Sequence, residues 1–304
     1  QYYLQTGDET MRDIIDSWFA DRFAEGATTK NVNTMAPFLT LAYRYEETRN
    51  PAYLPWLDCW AEWAIHEMPR TEFGGMQHIT LAEENHQQMW DDTLMMTVLP
   101  LAKIGKLLNR PDYIEEATYQ FLLHVQNLMD KDTGLWFHGW SYEGNHNFAN
   151  ARWARGNSWL TIVIPDFLEL LDLPENNAVH RYLVQVLNAQ IAALAKCQDE
   201  SGLWHTLLDD PQSYLEASAT AGFAYGILKA VRKRYVGQEY TLVAEKAIRG
   251  IVQHISPEGE LLHTSFGTGM GHNLDFYRNI PRTSMPYGQA MAMLCLTEYL
   301  RKYF

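Results

Sequence analysis

Gly105-Lys-Leu-Leu-Asn-Arg-Pro-Asp-Tyr113 reads as a link between two helices, and its form decides the fold. A helical apolar pattern stops at a polar residue. Pro then opens the next helix, where its missing N–H leaves nothing unsatisfied, and Tyr begins the following apolar face. Tyr43-Arg-Tyr-Glu-Glu-Thr-Arg-Asn-Pro-Ala-Tyr53 has the same form, and so does the start, Tyr3-Leu-Gln-Thr-Gly-Asp-Glu-Thr-Met11. Residue 1 therefore reads as the end of a helix, with one helix and most of a second expected upstream in the intact chain. Outward from these links the 3.6-residue apolar period dominates, and no alternating strand pattern stands out. Helices are expected at 9–23, 33–48, 51–67, 90–107, 111–129, 155–172, 177–197, 214–234, 238–254 and 285–302.

A second kind of connection is long and also repeats. Gly134-Leu-Trp-Phe-His138, Gly202-Leu-Trp-His205 and Gly259-Glu-Leu-Leu-His263 share a pattern, with Gly75-Met-Gln-His78 as a weaker fourth member. Their spacing is roughly sixty residues, about two helices and two loops. Short and long links alternate. In a ring of helical hairpins this puts every short link at one end and every long loop at the other, so the Gly-x-x-His segments should converge on one mouth. With the two helices expected upstream the count reaches about twelve, the complement of an (α/α)6 toroid. No Pro/Gly/Ser-rich linker divides the chain, so residues 1–304 are expected to form a single all-α domain of this kind, short of its N-terminal hairpin.

Composition narrows the function. The 304 residues carry 24 Lys and Arg against 37 Asp and Glu, a net charge of −13, which disfavours nucleic acid as a partner. No apolar run is long enough to span a membrane. Aromatic residues make up 13%, heavy for a core and typical of stacking surfaces. Cys59, Cys197 and Cys295 are an odd set, far apart, each in a helical apolar pattern. They read as reduced core thiols and point to the cytoplasm. Phosphate-loop, nucleophile-elbow and His-Glu-x-x-His motifs are missing, and the eleven His show no zinc-like spacing. Neither a cofactor nor a metal is expected.

Three segments could carry chemistry. Gln88-Met-Trp-Asp-Asp-Thr-Leu-Met-Met96 leads into a largely apolar helix. Adjacent acids at a helix start suit capping and the helix dipole. A carboxylate at the mouth of an inner helix is also partly desolvated, which raises its pKa toward the range of an acid catalyst, and Asp92 is favoured for this over Asp91. His138-Gly-Trp-Ser-Tyr-Glu-Gly-Asn-His146, running on to Arg152-Trp-Ala-Arg-Gly-Asn-Ser-Trp159, gathers imidazoles, aromatics and guanidinium groups. There Trp140 and Trp159 suit stacking on sugar rings, and Arg155 suits a bidentate grip on a substrate carboxylate. Trp153, Trp159 and Arg152 fit a core or surface role equally well. In the third segment, Trp204 to Thr220, Asp209 and Asp210 suit a turn. Trp204, His205 and Glu216 are the binding candidates.

These motifs resemble those of the unsaturated glucuronyl/rhamnogalacturonyl hydrolases, glycoside hydrolase families 105 and 88. The likeness rests on Trp90-Asp-Asp-Thr-Leu-Met-Met96, Gly134-Leu-Trp-Phe-His-Gly-Trp140 and Trp153-Ala-Arg-Gly-Asn-Ser-Trp159. Gly202-Leu-Trp-His205, Tyr214-Leu-Glu-Ala-Ser218 and Met285-Pro-Tyr-Gly-Gln289 follow in family order. The resemblance implies an (α/α)6 barrel that hydrates the C4=C5 double bond of a terminal unsaturated uronyl residue, here from pectin- or rhamnogalacturonan-type oligosaccharides. It implies that Asp92 is the acid/base residue; Asp91 beside it is a substrate-binding candidate. Many members carry a second Asp directly after His-x-Trp, where this chain has Ser141. Glu143 is then the candidate second acid, with His138 the other candidate partner of Asp92. A sugar epimerase or isomerase with paired His, and a non-catalytic carbohydrate-binding toroid, are the competing expectations on the same architecture.

Overall fold

The computed structural model describes residues 1–26 and 28–301. In chain order the helices are α1 (Tyr2–Thr6), α2 (Glu9–Glu25), α3 (Val32–Met35), α4 (Pro37–Thr48), α5 (Leu54–Glu62), α6 (Leu99–Leu107), α7 (Pro111–Leu128), α8 (Ala154–Leu171), α9 (Ala178–Cys197), α10 (Ala217–Arg232), α11 (Thr241–Val252), α12 (Leu274–Arg278) and α13 (Pro286–Leu300). Short strands β1 (Gln88–Trp90), β2 (Gly139–Ser141), β3 (Trp204–His205), β4 (Leu215–Glu216), β5 (Thr264–Ser265) and β6 (Arg282–Thr283) lie in the long loops. The chain forms a helical toroid. Inner helices α4, α6, α8, α10 and α13 pack side by side in that order, and α5, α7, α9 and α11 lie outside them. Burial follows the same division. Nearly every residue of α8 and α10 is buried, while α7, α9 and α11 bury one face only.

The short links join α4 to α5, α6 to α7, α8 to α9 and α10 to α11, and Pro stands at the start of α7 as its link sequence requires. The long loops lead from each outer helix to the next inner one. They turn on glycines with positive φ, Gly74, Gly134, Gly202 and Gly259, so the fourth member of the repeat turns on Gly74 and not on Gly75. At Gly134 and Gly202 a side chain would also strike a neighbouring backbone, at 2.7 Å from Ala189 O and 2.3 Å from Lys246 O.

Several expectations need correction. Residue 90, expected to open a helix, is strand, because Gln88–Trp90 pairs antiparallel with Gly139–Ser141 from a distant loop. The same holds for Leu215–Glu216, which pairs with Trp204–His205. Strands this short carry no period of their own, and loop–loop pairing alone forms them. Cys59 is exposed and Cys197 half-buried, so only Cys295 is a core thiol; all three are free. Among the described residues, no helix is long and apolar enough to cross a membrane.

Candidate active site

The antiparallel β1–β2 pair brings the first two chemical segments together. Trp90 stands opposite Gly139, and Asp91 N–H donates to His138 O at 3.0 Å. Immediately beyond, the chain widens into a π-helical turn at Leu94–Val98, ahead of Pro100, which has no N–H to give to the preceding turn. Asp92 sits at this irregular helix entry. Its Oδ2 lies 3.6 Å from Nε2 of His138, with the His138 side chain buried and that of Asp92 16% exposed. Asp91 lies beside them, fully buried. One polar atom each from Asp91, Asp92 and His138 lies within 4.8 Å of the others.

The pKa directions separate the two acids. Burial, and then the neighbouring charge of Asp92, raises Asp91 well above the usual carboxylate range. Burial also pushes Asp92 upward, but the adjacent His138 imidazole outweighs it and holds Asp92 below that range. The expectation of a raised pKa at Asp92 is thus reversed. Asp91 keeps the proton and Asp92 the charge: burial raises both, but Asp92 lies beside His138, whereas Asp91 has the Asp92 charge as its neighbour. Asp91 is too deep to touch a substrate, which corrects its assignment to substrate binding. The three groups are geometrically able to hold a small cation; without one, Asp91 and Asp92 form a pair with opposed pKa directions.

An aromatic and imidazole shell holds these groups. His138 packs on Trp153 and edge-on to Trp90 and Tyr277. His78 stacks on Trp90 at 4.1 Å and bonds Thr93 Oγ1 through Nδ1 at 2.9 Å. Burial lowers the pKa of His138 and pushes that of His78 down to about 3, so His78 is neutral. Of the repeated Gly-x-x-His imidazoles, His78 and His138 reach Asp92's surroundings. His205 instead faces Ser213 O and Asp199, and His263 packs on His254.

The motif Trp153 to Trp159 proves to be scaffolding for this centre. Gly156 makes room for the Asp91 carboxyl. Asn157 fastens the 134–138 loop by accepting from Trp136 N and donating to Trp136 O. Arg155, expected to grip a substrate carboxylate, is 4% exposed and turned to the protein. Its guanidinium lies between the rings of Trp153 and Tyr287 and donates to Ser265 O, Phe266 O and Thr268 Oγ1. It pins the glycine-rich 265–271 segment beside the site. Arg152 is likewise engaged, with Asp130 and Asp209.

Other expected positions fall elsewhere. Trp159 and Trp204 are core side chains, and Trp204 Nε1–H donates to Leu194 O. Trp140 is half-buried, packed edge-on to Tyr142. Glu216 is fully buried and caps α10 from inside, accepting from Ala219 N, Ser218 Oγ and Ser265 N. It is therefore structural. Glu143 does not join Asp92. Ser141 stands opposite Gln88, at the far end of the β1–β2 ladder from Asp92. Glu143 lies further on, 67% exposed and paired with exposed His86. Tyr277, Trp90, His78 and Tyr287, which surround this centre, are not among the site candidates named from the chain itself. The stack of His78 on Trp90 had a signal in the Gly-x-x-His repeat, whereas Tyr277 had none.

The model of Glycosyl Hydrolase Family 88 matches residues 1–303. The chain is 31% identical over 302 residues to the unsaturated rhamnogalacturonyl hydrolase YesR of Bacillus subtilis, covering 98% of this chain and 86% of that one. A crystal structure from Salmonella enterica, of a possible member of the GH105 family, is 91% identical with a TM-score of 0.99. It covers all of this chain, which spans 80% of that one. The unsaturated glucuronyl hydrolase of Bacillus sp. GL1 shares the fold, with a TM-score of 0.76 at 15% identity, over 99% of this chain and 83% of its own.

Proposed function

The chain belongs to glycosyl hydrolase family 88, and from that premise we propose that it removes a terminal unsaturated (C4=C5) uronyl residue from pectin- or rhamnogalacturonan-type oligosaccharides. Residues 1–304 act as one toroidal unit. The observation that carries the reading is the approach of Asp92 Oδ2 to His138 Nε2, 3.6 Å apart, with the buried carboxyl of Asp91, whose pKa burial raises, beside them. Two carboxyls that share one proton form a source and a sink for it. Asp92 faces the mouth, so the proton leaves the pair through Asp92 and adds to C4. Water bonds to C5 and surrenders its own proton to the Asp92 carboxylate, which restores the pair. The hemiketal formed at C5 then opens, and the glycosidic bond is lost with it. One water is consumed and no redox change occurs. This differs from glycosidases that flank the anomeric carbon with two separated carboxyls.

The experiment follows the loss of ultraviolet absorbance as the double bond of lyase-generated unsaturated disaccharides is hydrated. Turnover of a rhamnogalacturonan- or pectin-derived disaccharide is expected. Asp92→Asn is expected to lower it by at least about 100-fold while leaving the fold intact. Near-normal turnover in that variant sinks the assignment of Asp92, and saturated products without absorbance loss would favour epimerase chemistry.

A further inference from the structure

Tyr277 stands 139 residues from His138 in sequence, yet its hydroxyl oxygen lies 2.8 Å from Nδ1 of that imidazole. The ring is fully buried on α12. Two other groups meet the same oxygen. The Gly271 amide donates to it at 3.1 Å, and the Met270 sulfur lies 3.6 Å away. A phenol has one proton to give and lone pairs to receive. The Gly271 N–H can only donate, so it takes a lone pair and leaves the phenolic proton free. Between the two remaining neighbours, an imidazole nitrogen at 2.8 Å is a far better acceptor than a thioether at 3.6 Å. The proton therefore points at Nδ1.

We propose that Tyr277 is a positioning residue that sets the tautomer of His138: the hydrogen bonds run from Gly271 N–H to Tyr277 and from Tyr277 to His138 Nδ1, and leave Nε2 facing Asp92 at 3.6 Å with no hydrogen-bond partner of its own. With Nδ1 accepting, the neutral imidazole carries its proton on Nε2, the atom aimed at Asp92 Oδ2. His138 then presents an N–H dipole to the Asp92 carboxylate, which favours its ionised form between proton transfers, and does not act as a base toward it. Making His138 an imidazolium would require Nδ1 to donate to Tyr277, sending the phenolic proton to the Met270 sulfur. That is a poor exchange. Neutral His138 is further favoured by Arg155, while Asp92 opposes it; His78 and the rings of Trp90 and Trp153 complete its surroundings. The geometry also explains why the 265–271 segment is pinned by Arg155. That segment delivers the Gly271 amide on which the direction of the Tyr277 hydrogen bond depends.

This inference rests on the reading of Asp92 as the reacting carboxylate, but its first test is independent of activity. In ¹⁵N-histidine-labelled wild-type protein, His138 is expected to show an unprotonated Nδ1 and a protonated Nε2, and to stay so from pH 8 down to pH 5. The Nδ1–H tautomer, or titration near the ordinary imidazole range, would overturn the proposal whatever the substrate proves to be. In Tyr277→Phe the tautomer is expected to mix and His138 to titrate at higher pH. On the unsaturated disaccharide, kcat should then fall about 10- to 100-fold with little change in KM, and the acid limb of the pH–rate profile should move to higher pH. An unchanged tautomer and profile in a folded Tyr277→Phe would also overturn it. Should that variant not fold, the wild-type spectrum still decides. Wild-type protein with the expected tautomer but no turnover would count against the hydrolase reading alone.

Discussion

The carboxyl of Asp91 occupies the space that a side chain at Gly156 would fill: a Cβ built there falls 2.1 Å from Oδ2. Gly156 lies in the first turn of α8, where Ala ordinarily favours a helix over Gly by about 1 kcal/mol. The contact reverses that preference. Gly156→Ala is expected to destabilise the fold by about 1–3 kcal/mol through overpacking, and to lower activity by displacing Asp91. A denaturant titration that finds the variant more stable would show that Asp91 is not held as described.

The proton on Asp91 makes stability depend on pH. Its native pKa is raised, so native protein binds more protons than unfolded protein once pH passes about 4. The stabilisation is whole below that pH and is lost as pH rises through the native value, with a slope of at most about 1.4 kcal/mol per unit. Asp91→Asn mimics the protonated carboxyl. It should be at least as stable as wild type at pH 8, with a flatter dependence, yet poorly active because an amide cannot exchange the proton. Thermal melts from pH 4 to 9 measure this, and parallel curves for the two proteins would contradict it.

Glu216 receives three hydrogen bonds in a fully buried position and ties α10 to β5. Glu216→Ala leaves those donors unsatisfied. A loss of about 2–4 kcal/mol is expected in chemical denaturation. Loss of turnover at unchanged stability would instead return Glu216 to the substrate.

Glu143 pairs with His86 where both are largely exposed. Glu143→Gln is expected to change stability by less than about 0.5 kcal/mol and turnover by less than about twofold. A large fall in kcat would mean that the 141–147 loop closes over the site and would reinstate Glu143 as the second acid.

What could be read from the chain itself was whatever physics acts locally. Helical period, Pro at the start of a helix, and glycine turns with positive φ are set by neighbours within a few residues, and their alternation was enough for the toroid. The Asp91-Asp92 pair and His138 were legible in the same way, because each stands beside a glycine turn or helix start with its own signal. Which acid holds the proton was decided by the tertiary structure. Adjacent positions look alike in sequence, and only packing shuts Asp91 against Gly156 while setting Asp92 beside His138. Burial likewise turned Arg155, Trp159, Trp204 and Glu216 from expected binding groups into scaffold. Their hydrogen bonds and contacts lie with segments far along the chain, as Arg155 to Ser265 and Glu216 to Ser265 illustrate. Tyr277 is the limiting case: a tyrosine in a short loop helix carries no local mark of its partner, and only the packing of distant loops sets it against His138.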